Sequence, residues 1–209
     1  MKNRGLGKLP RADQNQVPGH RGERCSACRQ RFGELLRAAY GEVSVNHKLP
    51  EMGARLEDYR TSKHFDALAR IHAALQDFRG HREFVRARAL PRCDYYVLKP
   101  GFVVEIDERQ HFTAPRRLAL SLYPPELTLG FDRNRWMKMC EEIAEQDKDP
   151  VYRDEQRARY ETLRDFAPSI LGLRPTVRVR RTDVEWCLMD SSRLEDVSAF
   201  RAMVEGRST

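Results

Sequence analysis

Asp94, Glu105 and Asp107 lie on two β-like runs, Cys93–Val97 and Phe102–Asp107, joined by the turn residues Lys99-Pro100-Gly101. Side chains alternate along a strand, so Asp94 shares a side with Arg92 and Tyr96, and Glu105 shares one with Val103 and Asp107. Phe102, Val104 and Ile106 take the opposite side. The three carboxylates can therefore converge on one sheet face. Acids on so apolar a strand are costly to bury without compensation. A divalent cation, Mg²⁺ or Mn²⁺, is the simplest compensation: hard oxygen ligands suit it, and it can activate water for attack on a phosphodiester. The alternative use of the same acids is a salt-bridge network of Asp94 and Glu105 with Arg92, Arg178 or Arg180. Gln110 and His111 follow at the strand exit. His111 can exchange a proton near neutral pH, or it can open a helix by bonding the backbone.

Further along, Arg153, Arg157, Tyr160 and Arg164 recur three or four residues apart, which sets them on one helix face. Such a stripe suits a nucleic-acid phosphate backbone, and Arg116 and Arg178 are further candidates for phosphate contact. The interleaved Asp154, Glu155, Glu161 and Asp165 equally allow intrahelical ion pairs. Cys25-x-x-Cys28 is half of a structural Zn²⁺ site, which needs about four ligands. His20, His47 and Cys93 are the partners at hand, while two unpaired thiols at a helix start explain the motif without metal. The remaining cysteines are Cys140 and Cys187. Five thiols without a secreted-type framework are expected to be reduced.

The segments Asp94-Tyr95-Tyr96-Val97 and Phe102-Val103-Val104-Glu105-Ile106-Asp107-Glu108-Arg109-Gln110-His111 together resemble the core of nucleases related to very-short-patch repair endonucleases. These belong to the PD-(D/E)XK, or restriction-endonuclease-like, superfamily. The resemblance covers about residues 88–113 and extends, through the order of helices and strands, to about residue 181. It implies an α/β (α+β) fold with a restriction-endonuclease-like core, a central mixed sheet flanked by helices, and an extra N-terminal helical region. It also implies a Mg²⁺-dependent endonuclease acting on nucleic acid, with DNA the expected substrate and a 5′-phosphate left on the product. Asp94 matches the hallmark aspartate and Glu105 the acid of the second strand, while Asp107 stands where the superfamily lysine usually sits. Asp94, Glu105 and Asp107 are thus the expected metal ligands. Transition-state charge then falls to Gln110, His111, Arg116 or Arg157. Glu34 resembles the helix-borne glutamate that many of these nucleases add to the metal site; a solvent-facing glutamate beside Arg37 is the plainer reading. A non-catalytic nucleic-acid-binding module on the same fold is the alternative to an enzyme.

Several elements must position these residues. Phe32, Leu35, Leu36, Ala39 and Tyr40 have helical spacing that ends at Gly41, followed by a β-like stretch at Val43 and Val45. A second helix is expected from about Lys63 to Phe78, with Gly80 as its stop. Helices follow at Arg116–Leu122 and at Asp132–Gln146, the latter capped by Asp132 and stapled by Phe131 and Trp136. Asp149-Pro150 reads as N-cap and first residue of a helix that runs to Phe166, with Pro168 marking its end. Pro175–Arg181 alternates as a strand with one apolar and one polar face, Val184–Leu188 is a further strand candidate, and Arg193–Val204 closes the chain as a helix.

The 209 residues, 40% hydrophobic and 33% charged, suit one globular domain over 25–209, with a core at about 88–188. Residues 1–24 form a basic head. Residues 1–37 hold nine Lys/Arg against three Asp/Glu, which accounts for +6 of the net +7, so the rest is close to neutral. That head can bind phosphates by counterion release, or be a solvated tail. No run approaches the roughly 18 apolar residues of a membrane span, and no apolar signal segment opens the chain. A cytoplasmic protein with no membrane partner is expected.

Overall fold

The computed structural model describes residues 26–206. The basic head and Cys25 lie outside them. Phe32, Leu35, Leu36 and Ala39 form the buried side of α1 (Ser26–Tyr40), which Gly41 ends at a φ of 82°, a left-handed conformation that suits glycine. Then come β1 (Val43–His47), α2 (Phe65–Arg79), β2 (Cys93–Val97) and β3 (Phe102–Asp107). The crossover from β3 carries α3 (Ala114–Ser121), α4 (Arg133–Ile143) and α5 (Arg153–Leu171) before β4 (Val177–Arg180) and α6 (Leu194–Glu205). The Asp132 carboxylate accepts from the amides of Asn134 and Arg135 at 2.9 and 3.1 Å, and the Phe131 and Trp136 rings pack 5.2 Å apart, as the staple requires.

The sheet has the order β1-β2-β3-β4, antiparallel except for the parallel pair β3 and β4. It is a four-stranded mixed sheet flanked by helices, so the fold is α+β. One sheet face, with Tyr95, Val97, Val104, Ile106, Val177 and Val179, packs on Phe32 and Leu36 of α1 and Phe200 of α6. On the other side, Val103 joins a second core with Leu68 and Ile71 of α2, Ala119 of α3, Trp136 of α4 and Phe166 of α5. Asp94, Glu105, Asp107 and Arg178 share this second face, with Asp107 and Arg178 buried beneath the crossover helices. Among the described residues no helix is long and apolar enough to cross a membrane.

The largest differences from the sequence reading lie after residue 149. The helix after Asp149-Pro150 begins at Arg153, because residues 150–152 form a turn closed by the Arg153 amide on the Pro150 carbonyl at 2.8 Å. It also passes through Pro168 to Leu171. Pro168 has no N–H for the carbonyl of Arg164, and the Thr176 hydroxyl donates to that oxygen instead, at 2.7 Å. Val184–Leu188 is not a strand: two 3₁₀ turns, Arg181–Asp183 and Trp186–Leu188, bury Val184 and Trp186 while Leu188 stays exposed.

The thiols also differ from expectation. Cys28 of α1 is joined by a disulfide to Cys187, while Cys93 and Cys140 are free and buried. A sulfur in a disulfide is not a thiolate, so the structure does not offer Cys28 as a zinc ligand. Its sequence partner Cys25 falls outside the described residues. His47, another zinc candidate, stacks on Tyr96 with ring centroids 4.5 Å apart.

Candidate active site

The antiparallel register that sets Tyr96 opposite Val103 brings Asp94 beside Glu105 on neighbouring strands. Asp94 is half-exposed and fixed at both oxygens: Oδ2 accepts from the Ile106 amide at 2.9 Å and Oδ1 from Arg29 Nη1 at 2.9 Å. Glu105 is buried, and its Oε1 has no hydrogen bond. Burial pushes its pKa up to about 7; Arg164 counteracts this and the neighbouring Asp94 adds to it. Arg164 Nε lies 3.2 Å from Glu105 Oε1, close enough for charge attraction, but neither atom completes a hydrogen bond.

Asp94 and Glu105 line a cleft of about 530 Å³, together with His111 and with Glu161 from α5. Arg29, Arg86 and Arg92 line it too, and so does the whole α5 stripe of Arg153, Arg157, Tyr160 and Arg164. Six arginines thus surround three carboxylates, so positive charge predominates along the cleft. His111 Nδ1 sits 3.0 Å from Asp107 Oδ1 and 3.1 Å from Glu161 Oε1. Burial opposes the imidazolium, but Glu161 and Asp107 outweigh it and raise the pKa.

Asp107 shares the face but not the cleft. Its Oδ1 takes Arg178 Nη1 at 2.8 Å and His111, and its Oδ2 takes Trp136 Nε1 at 2.6 Å. Burial works against ionisation, yet Arg178, His111 and Trp136 hold the carboxyl well below the usual range. Asp107 is 1% exposed and does not line the cleft, so it stands apart from Asp94 and Glu105, with which the sequence groups it as a metal ligand. Arg116 and Arg178 are likewise corrected as nucleic-acid contacts. They are 1% and 0% exposed, and they bind Asp165 at 2.7 Å each, so phosphate cannot reach them. Gln110 turns its side chain to Glu108 at 2.8 Å and contributes its carbonyl oxygen to Arg157 at 2.8 Å. It supports the rim instead of meeting the floor. Glu34 pairs with Arg31 at 2.9 Å and does not line the cleft.

The sequence reading did not single out Arg29. Its signal was its position three residues before Phe32, on the same helical stripe that faces the sheet. Glu161 was read only as an intrahelical partner, whereas its ion pairs go to Arg116 on α3, at 2.9 Å, and to His111.

Among the described residues, no three His, Cys, Asp or Glu side chains are grouped as a ready-made metal cage. Mg²⁺ rarely uses one: it is held by one or two carboxylates, with waters and substrate phosphates completing its shell. A buried glutamate with an oxygen free of hydrogen bonds, beside Asp94, fits that demand. Comparison of the chain with family models, with curated proteins and with solved structures returned no match in any of the three.

Proposed function

We propose that this chain is a divalent-metal-dependent nuclease with a restriction-endonuclease-like core, hydrolysing phosphodiester bonds of nucleic acid, with DNA the expected substrate. The observation that carries the reading is the buried oxygen of Glu105 beside Asp94, which has an ion pair with Arg164 but no hydrogen bond, at the floor of an arginine-lined cleft. Asp94 and Glu105 are the residues that would hold Mg²⁺ or Mn²⁺. When bound, such an ion supplies an activated water and neutralises charge on the phosphate. The protein groups do the rest. Arg153 and Arg157 take flanking phosphates on one side of the cleft and Arg92 on the other. Ile106 N–H orients the Asp94 carboxylate. His111, held between Asp107 and Glu161, whose charges raise its pKa, is placed for proton transfer at the cleft floor.

The test is cleavage of supercoiled plasmid and of labelled single-stranded oligonucleotide with Mg²⁺ or Mn²⁺. D94N and E105Q should each abolish cleavage while binding, measured in Ca²⁺, stays near wild type. Full cleavage by both variants would sink the assignment. One observation favours a second reading, a non-catalytic nucleic-acid-binding module: Arg29 already occupies Asp94 Oδ1 at 2.9 Å. That version expects salt-sensitive DNA binding with no metal-dependent nicking at any protein concentration.

A further inference from the structure

Resting on the nuclease reading, we infer that Arg164 is the catalytic cation, the group that touches the reacting phosphate beside Asp94 and Glu105. The six arginines of the cleft differ in how they are held. Arg86 and Arg92 are exposed at the rim, bonded to the Tyr152 hydroxyl and to the Asn46 carbonyl. Arg153 and Arg157 lean on the Asp149 and Gln110 carbonyls, and Arg157 also pairs with Asp147. Arg29 is spent on two carboxylates, Asp94 and Glu108.

Arg164 is the buried member of the set, 9% exposed. Its Nη2 donates to the carbonyls of Pro91 and Arg92 at 3.1 and 2.9 Å, which fixes the guanidinium at the start of β2. Its Nε has no hydrogen bond and faces Glu105 Oε1, which has none either. Two buried, oppositely charged groups, paired at 3.2 Å without a completed hydrogen bond, therefore lie side by side in the lining of the cleft. A charge held this way needs no reorganisation as negative charge grows on the phosphate, and it acts in a site of low dielectric. The other fully buried arginines of this region, Arg116 and Arg178, are saturated by Asp165, Glu161 and Asp107. They cannot serve.

Single-turnover cleavage of the same oligonucleotide by the full chain tests the assignment, with DNA affinity read separately in Ca²⁺. R164A should lower the cleavage rate by about 10²–10³-fold, the range for loss of one preorganised donor, with affinity nearly unchanged. Added guanidinium ion should restore part of the R164A rate, and R164K should exceed R164Q. Cleavage by R164A at the wild-type rate overturns the role. So do equal rates for R164K and R164Q with no guanidinium rescue, the pattern of a merely structural residue. If R164A does not fold, the R164K and R164Q pair, matched by circular dichroism, decides. Loss of cleavage in D94N but not in the Arg164 variants overturns this assignment alone, whereas no cleavage by wild type overturns the nuclease reading with it.

Discussion

Arg178 Nη1 lies 2.8 Å from Asp107 Oδ1, and the two side chains are 0% and 1% exposed. The sequence offered this aspartate to a metal and this arginine to a phosphate. In the fold they neutralise each other under α3, α4 and α5, with Trp136, His111, Asp165 and the Glu161 carbonyl completing the bonds. Removing one partner of a buried pair strands the other charge, which is where most of the cost arises.

D107A should therefore destabilise the protein by about 3–5 kcal/mol in urea unfolding. The pH dependence has a fixed sign. The folded-state pKa of Asp107 is depressed, so its stabilisation is present above the unfolded value of about 4 and is lost as pH falls below it. Wild type should lose stability through that acid window more steeply than D107A. Equal slopes would remove the pair from the stability of the fold.

Glu105 carries the opposite sign. Its folded-state pKa is raised from 4.5 to about 7, so the folded state binds the proton more tightly and stability falls as pH rises across that window. E105Q should be more stable than wild type at pH 8, by at most about 3 kcal/mol, and nearly equal to it at pH 5. Mg²⁺ needs the ionised carboxylate, so its thermal stabilisation of wild type should appear at the higher pH and vanish at the lower one. A Mg²⁺ shift of equal size at both pH values, or in E105Q, would place the ion elsewhere.

Arginines of the rim and of the interior should separate cleanly. R157A should weaken DNA binding and lower the slope of log affinity against log salt by about 1, with little change in folding. R116M should instead lower stability by about 3–5 kcal/mol through loss of its buried ion pairs with Glu161 and Asp165. Salt titrations and urea melts on both variants check this, and an unaltered slope in R157A removes it from the DNA path.

The Cys28–Cys187 bond closes a separation of 159 residues and ties α1 to the turn before α6. C187S should cost about 2–5 kcal/mol, and reductant should lower the wild-type Tm but not that of C187S. A wild-type Tm indifferent to reductant would mean that the two sulfurs are not bonded.

The elements of local origin could be read from the chain. Gly41 and Gly80 stop helices, Asp132 caps one, and Lys99-Pro100-Gly101 turns the hairpin, because each depends on backbone preferences a few residues wide. The same locality placed Asp94, Glu105 and Asp107 on one face and Arg153, Arg157, Tyr160 and Arg164 on another, since strand and helix periods are fixed. Pro168 does not stop the helix, because the compensating donor, Thr176, comes from the residue just before β4.

What only the tertiary structure decided is which charge meets which. Arg29 reaches Asp94 across 65 residues, Arg116 reaches Asp165 across 49, and Arg178 reaches Asp107 across 71. By type and spacing alone, Asp107 looked as ready for a metal as Glu105, and Arg178 as ready for phosphate as Arg157. Packing of α3, α4 and α5 onto the polar sheet face closed the bonds of the first of each pair and left the second facing the cleft. Pairing of like residues is set by distance and burial in three dimensions, and no local periodicity encodes it.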